Sequence, residues 1–536
     1  MGESRASGPT ITPLLDETIG SNLRRMATVH ADREALVSVG QSTRHTYRQF
    51  DEAVDHLASG LLAAGLAPGD RVGIWSPNRA EWVLLQYATA RIGVILVTVN
   101  PAYRTSELEY CLRHSGCRVV VAAPSFKTSD YREMLATVAP KIDSLERVVF
   151  LDDPEWGRLA TSDIDRRSID AVADRLLPDD PINIQYTSGT TGTPKGATLS
   201  HRNILNNGFF VGERCRYTPE DRVCIPVPFY HCFGMVLGNL ACTTHGATMV
   251  IPGEAFEPEA VLDTVEKERC TSLYGVPTMF IAELAHPGIA DRDLTSLRTG
   301  IMAGAPCPVE VMKRVVDTMC MSEVTIAYGM TETSPVSTQT STDDELERRI
   351  STVGTVHPHV EIKIIDDHGT TLPTDTPGEL CTRGYSVMLG YWDDPDRTAE
   401  VIDAEGWMHS GDLAVMDESG YVRIVGRKKD MIIRGGENIS PREIEEFLIR
   451  HDGVLDAQVV GVPDERFGEA VVAFIRRTDP ALTETEVREF CRGQIAHFKI
   501  PRDVVFVDEF PMTVTGKVQK YRLREMAASQ TGGGPA

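Results

Sequence analysis

Tyr186 to Ala197 reads YTSGTTGTPKGA, a run of hydroxyls and glycines that ends near one lysine and stands between apolar flanks. Gly189, Gly192 and Gly196 let the backbone come close to a ligand, and N–H groups in such a loop can point at phosphate oxygens. Lys195 adds a cation. The segment reads as a polyphosphate cradle, with a plain surface loop as the alternative. It is not a Walker loop, because the glycine spacing before Lys195 differs and no Ser or Thr follows that lysine.

The surrounding chain has 536 residues, more than one ordinary core supports, so at least two domains are expected. Its 42% apolar and 24% charged composition is that of a globular protein. A net charge of −23 argues against broad non-specific binding to nucleic acid, with a local basic patch left open. MGESRASGPT lacks the basic and apolar segments of a secretory leader, and no apolar run is long enough to span a membrane. A soluble, cytoplasmic protein is expected, and the chain allows a homodimer. The eleven cysteines are scattered without a Cys-x-x-Cys pair, which suits free thiols in a reducing compartment.

Helical and strand-like patterns alternate through the first half, as stacked α/β layers require. Thr46 and Gln49 form a capping box before a helix with Phe50, Val54, Leu57, Leu61 and Leu62 at helical spacing, stopped by Pro68 and Gly69. Arg71 to Trp75 and Arg118 to Ala122 read as strands. Asp343 to Arg349 reads as a solvated loop or helix face, and Val360 to Ile365 opens a β-rich subdomain. After the basic stretch Gly426 to Lys429 the pattern restarts. Ser440, Pro441 and Glu443 predict a capped helix through Arg450, followed by strands over Ala457–Gly461 and Val471–Ile475. A second helix carries Val487, Phe490, Cys491 and Ile495, and Val504–Val507 reads as a strand. The division expected is residues 1–428 and a small α/β domain over 429–536, frayed at Gly532–Gly534.

The phosphate loop heads an ordered series of motifs: PFYHCFG at Pro228–Gly234, AGAP at Ala303–Pro306, YGMTETSP at Tyr328–Pro335 and HSGDL at His409–Leu413. GRKKDMIIRGGENISPREIE follows at Gly426–Glu445, and PMTVTGKVQK at Pro511–Lys520. In this order the chain resembles the adenylate-forming superfamily of acyl-CoA synthetases, peptide-synthetase adenylation domains and luciferases. The resemblance implies ATP, Mg2+ and coenzyme A as reactants. It implies nucleotide binding by Thr187, Ser188, Gly189, Thr190, Thr191, Gly192, Thr193 and Lys195, and by Gly304, Ala305, Pro306, Tyr328, Gly329, Met330 and Thr331. Glu332 would be the magnesium ligand, Asp412 the acceptor for both ribose hydroxyls, and Arg427 a donor to ribose and phosphate. Tyr328 offers an aromatic face to adenine. Lys517 would enter from the small domain to neutralise the attacking carboxylate and the α-phosphate. The small domain would then turn about Lys429 to bring Gly435, Gly436 and Glu437 to the pantetheine arm.

Carboxylate attack on the α-phosphate meets like-charge repulsion, so such cations belong at the transition state. The acid would lie by His231, Phe233, Met235, Val236, Ala303 and Gly304. These residues are mostly apolar, and no basic residue beside His231 suits a second carboxylate, which favours a fatty or aryl acid over an amino acid or diacid. VNPAYRTSELEYCL and FKIPRDVVFVDEFPMTVTGKVQK are similar to medium-chain fatty acyl-CoA synthetases. A fatty acyl-AMP ligase serving a carrier protein, an aryl-CoA ligase, and a degenerate nucleotide binder are the competing readings.

Overall fold

The computed structural model describes residues 2–187, 194–305, 307–434, 437–464, 466–513 and 517–531. Two largely parallel sheets build the large domain. The seven-stranded sheet places Gly390–Tyr391, Lys195–Ser200, Pro181–Thr187, Ile95–Thr98 and Arg71–Trp75 side by side. The nine-stranded sheet has Glu323–Gly329, Thr299–Ala303 and Ser272–Gly275 near its middle, all parallel. Helices lie between the sheets, and one buried cluster takes Ile74 and Leu96 from the first and Tyr274 and Ile301 from the second. Strands buried on both faces read as continuous apolar runs, which is why Arg71–Trp75 was legible.

The helix Tyr47–Ala63 begins with the predicted box: Thr46 Oγ1 accepts from Gln49 N at 3.3 Å and Gln49 Oε1 from Thr46 N at 2.9 Å. Phe50, Val54, Leu57 and Leu61 are buried, while Leu62 is half-buried. The stop comes earlier than Pro68, at the left-handed Gly65 (φ +88°). Arg118 is the residue before its strand, Val119–Ala122.

The stretch 343–349 is not simply solvated. It leads into a helix, Leu346–Ser351, whose Arg349 is buried and donates to Ser322 O at 2.7 Å. Here backbone carbonyls take up one end, Nη1, of a guanidinium that sequence alone assigned to water.

A five-stranded antiparallel sheet contains Val360–Ile365, Gly378–Gly384, Met408–Met416 and Val422–Arg427. The small domain follows. Its sheet centres on the hairpin Val454–Asp464 and Gly468–Arg477, longer at both ends than the apolar runs suggested, with Asp503–Phe506 in place of Val504–Val507. Helices Pro441–Leu448 and Glu484–Cys491 cover one face. Val487 and Cys491 are buried, Phe490 and Ile495 are half-buried, and Ile495 lies beyond the helix end. Lys520–Thr531 covers the other face through Leu523 and Ala527. The helix after Ser440 ends at Leu448, and its predicted capping box does not form. Gly532–Gly534 lie outside the described residues.

Candidate active site

The site forms where the C-terminal ends of the central strands meet the subdomain and the small domain. Ser188, Gly189, Thr190, Thr191, Gly192 and Thr193 lie outside the described residues, as do Pro306, Gly435 and Gly436. The strands flanking the phosphate segment pair with Thr187 opposite Lys195. Lys195 Nζ lies 4.8 Å from the centre of the Tyr391 ring, a cation–π contact. The Tyr391 hydroxyl donates to Glu332 Oε1 at 2.8 Å. One tyrosine thus joins the phosphate-loop lysine to the proposed metal carboxylate.

Thr331 and Glu332 are buried in a single turn, Thr331–Thr333, just beyond the strand Glu323–Gly329. Met330 N is held by Pro335 O at 2.9 Å. A Cβ on Gly329 would fall 1.7 Å from Pro335 O, so only glycine fits where the chain doubles back. The resemblance assigns this glycine to nucleotide binding; what the structure shows is that the fold needs it for the turn that carries Glu332.

Asp412 is buried on Met408–Met416, opposite Arg427 on the neighbouring strand. Arg427 Nε donates to its Oδ1 at 2.9 Å and the Tyr328 hydroxyl to its Oδ2 at 2.8 Å. Burial, with the Asp412 charge beside it, pushes the Tyr328 phenol well above its ordinary value, so it stays a donor. An ionised carboxylate offers about four lone-pair sites, so both oxygens can accept again. Sequence reading gave Tyr328 only an aromatic face; its hydroxyl is the part the structure binds to Asp412. Glu379 Oε1 accepts from Gly411 N at 3.0 Å, and its other oxygen lies 3.5 Å from Lys428 Nζ, so one carboxylate touches both the turn before Asp412 and the chain beside Lys429.

Lys517 reaches this group from the small domain. A Cβ on Gly304 would lie 3.6 Å from Lys517 Cε, so the lysine's arm passes over that glycine. Burial, with the Arg427 cation adding, pushes the Lys517 ammonium down, while the Asp412 and Glu332 carboxylates oppose the shift. The lysine is anchored by backbone: Lys517 N donates to Thr513 Oγ1 at 3.1 Å and Thr513 N to Lys517 O at 2.8 Å.

Among the residues expected around the acid, Ala303 is buried at the end of its strand and the next residue, Gly304, is exposed. Ala305 is half-buried. His231 Nδ1 accepts from Phe233 N at 3.1 Å, and burial together with Lys517 pushes the imidazole down to about 3. It is neutral at pH 7. Phe233, Met235 and Val236 belong to a wide π-type helix, Phe233–Leu240, a form frequent at functional sites. Phe233 stacks on Tyr274 with ring centres 5.6 Å apart. Met235 turns its sulfur to Gln185 Nε2 at 3.0 Å, and Gln185 Oε1 takes both Cys232 N and Cys232 Sγ at 3.1 Å.

Sequence reasoning missed Tyr391, Glu379, Gln185 and Tyr274. Each sits in a strand or at its edge with no motif of its own, and only sheet pairing, such as Ala197 opposite Tyr391, brings it in.

Lys429 is exposed in the single turn Lys428–Asp430. Its neighbours are fixed on opposite sides: Lys428 Nζ to Asp367 at 2.8 Å, and Asp430 to Arg524 of the last helix at 2.6 Å. Glu437 is exposed on a hairpin opposite Arg434 and takes no part in the contacts around Lys517. A cavity of about 340 Å³ opens between the domains, with Pro228, Tyr230 and Met279 on one side and Arg476 and Met512 on the other. Among the described residues no helix is long and apolar enough to cross a membrane.

Comparison with known proteins shows the family. The family "AMP-binding enzyme" matches residues 23–392, and "AMP-binding enzyme C-terminal domain" matches 443–517. The chain is 48% identical to the Bacillus subtilis protein YngI, named as an acyl-CoA synthetase, over 96% of this chain and 97% of that one. It is 44% identical to the medium-chain acyl-CoA ligase ACSF2, mitochondrial, of Danio rerio, over 99% and 91% respectively. The crystal structure of the anthranilate CoA ligase AuaEII in complex with anthranoyl-AMP superimposes with a TM-score of 0.85 at 26% identity, covering 97% of this chain and 99% of that one. Matched along both its large and its small domain, the chain belongs to the AMP-binding enzyme family.

Proposed function

We propose that this chain, an AMP-forming acid–thiol ligase, activates a medium-chain fatty acid as its acyl-adenylate and passes the acyl group to coenzyme A. The observation that carries the reading is the convergence of Lys517 from the small domain on Gly304, His231, Asp412 and Glu332 of the large one. In the first step a carboxylate oxygen bonds to the α-phosphorus of ATP and the bond to the β-phosphate oxygen breaks, releasing diphosphate. In the second the CoA sulfur bonds to the acyl carbon and AMP leaves. Lys517, close to Gly304 and His231, would neutralise both anions of the first step. Asp412 keeps acceptor sites for the ribose hydroxyls beside Tyr328 and Arg427.

Glu332, with one oxygen held by Tyr391, has its second for a hard cation. Mg2+ suits that arrangement, because it takes one or two carboxylates together with substrate phosphates. When bound it would draw charge from the phosphoryl oxygens.

The small domain begins at Lys429 in this reading and turns there between steps, bringing Glu437, with Gly435 and Gly436, to the thiol. Eleven free cysteines, ten of them buried, fit a reducing, cytoplasmic setting. The medium-chain acid is supported by the buried apolar Phe233 and Val236 and by the likeness to ACSF2. An aryl acid is the second reading, favoured by the aromatic Phe233–Tyr274 pair, whose rings stack 28° from parallel. Incubation with ATP, Mg2+, CoA and either octanoate, dodecanoate or benzoate, followed by mass spectrometry, tests both. Octanoyl-CoA should dominate. Predominant benzoyl-CoA would favour the aryl reading, and octanoyl-AMP that passes only to a phosphopantetheine carrier protein would replace the CoA ligase with an acyl-AMP ligase.

A further inference from the structure

Two rules of helix chemistry are broken together at the start of Pro441–Leu448. Ser440 has the extended backbone of an N-cap (φ −76°, ψ 119°), yet its side chain makes no cap bond. A capping hydroxyl normally accepts from a first-turn amide. The Ser440 hydroxyl instead donates to Val425 O. Arg442 stands in the first turn, where the helix's partial positive charge disfavours a cation. Its Nε goes to Glu446 at 2.7 Å, and its Nη1 donates to Ile424 O at 2.7 Å.

The carbonyls that take these donors belong to Val422–Arg427, the last strand of the large domain, whereas both donors lie beyond Lys429 in the small one. Leu455 of the small domain packs against the large domain's buried cluster of Met416, Val422 and their neighbours. Local rules are broken at functional positions when another interaction compensates. At this helix the compensation is docking. A guanidinium can serve Glu446 and a carbonyl at once because its donors are set in a rigid fork, which a lysine lacks.

We propose that Ser440 and Arg442 form a latch that holds the small domain with Lys517 over Gly304 and must open before the domain can turn about Lys429. The inference rests on the two-step reading above. Arg442 is a positioning residue: it affects the reaction only through where Lys517 stands.

The test uses the full chain with Arg442→Ala and Ser440→Ala, separately and combined. Single-turnover adenylation from ATP, Mg2+ and octanoate is compared with thioester formation from synthetic octanoyl-AMP and CoA. Labels on the exposed Cys320 and on Ser529→Cys report the distance between domains. Arg442→Ala should slow adenylation roughly tenfold, the scale of one charge-assisted hydrogen bond, and leave thioester formation unchanged or faster. Ser440→Ala should show the same split at smaller size, and the label distances should spread away from this arrangement. Parallel loss of both steps, or an unmoved distance distribution in folded protein, overturns the latch. Should Arg442→Ala fail to fold, Ser440→Ala decides alone, by showing the split or not. Lys517→Ala in the same assays separates the two ideas. Equal loss of both steps there removes the two-step reading itself, whereas a split there with none in Arg442→Ala removes only the latch.

Discussion

Asp412 and Glu332 are each 6% exposed and already bonded within the large domain, to Tyr328 and Arg427 in one case and to Tyr391 in the other. Lys517, itself half-buried, reaches the same place and is held by two hydrogen bonds to Thr513, both within the small domain. In the proposed reading the anions are built in, and the cation is brought. Fixed anions suit groups needed in both steps, because nucleotide and adenylate must be held throughout. A cation that helps only when carboxylate meets phosphate can be supplied by a moving part.

The largest effect should fall on the movable side. Lys517→Ala is expected to reduce single-turnover adenylation by roughly 10²–10³, the range seen when an oxyanion donor is removed. Thioester formation from supplied acyl-AMP should stay near the parent rate. If that second rate collapses too, the contrast between built-in and delivered charge is lost.

On the fixed side, Asp412→Ala should weaken ATP and acyl-AMP alike, by roughly 10–100-fold in Kd, since it removes a charged acceptor and leaves Arg427 and Tyr328 without their partner. Calorimetry with AMP would check it, and unchanged affinity would take Asp412 away from the ribose. Glu332→Gln keeps the shape and the bond from Tyr391 while removing the charge. Half-maximal adenylation should then need several-fold more Mg2+, and the shift should be absent when acyl-AMP is supplied.

The pH dependence sharpens the same contrast. Burial lowers the Lys517 pKa, so the charged form is lost as pH rises through a value below the ordinary 10.5 of lysine. Adenylation should show that alkaline limb and thioester formation from acyl-AMP should not. A smaller effect tests the rigidity of the large domain. His201 is pushed down to about 3 by burial, and its Nδ1 accepts from Ile19 N at 3.2 Å. Between its ordinary 6.5 and about 3 the unfolded chain binds a proton that the fold refuses, so stability should fall as pH drops through that window. For one such group the loss from pH 7 to 5 is roughly 2 kcal/mol, and in His201→Gln the drop in unfolding free energy between those two pH values, read by urea denaturation at each, should shrink by that much.

What the sequence made legible follows periodicity and motif. Thr46 and Gln49 state a helix start in their own side chains, and an unbroken apolar strand such as Arg71–Trp75 announces its burial. Lys517, Asp412 and Glu332 stood out by motif. Ser440 misled because the same serine can cap its helix or donate to another domain, and only the approach of Val425 decides between them. Arg349 misled for a similar reason, since a charged residue can be buried wherever carbonyls such as Ser322 O are waiting. Tyr391 was invisible because its role depends on a residue 59 positions away.

That tyrosine works like a rivet between two plates. Its strand belongs to the sheet that carries Lys195, its hydroxyl is fastened to Glu332 beyond the end of the other sheet, and Met388 N adds a second fastening to Glu332 O at 2.9 Å. In the proposed reading, the gap available to a triphosphate is a mechanical tolerance set by how tightly the two plates are joined. A change that slackened the joint, even far from any reacting atom, would be felt at the phosphates as play.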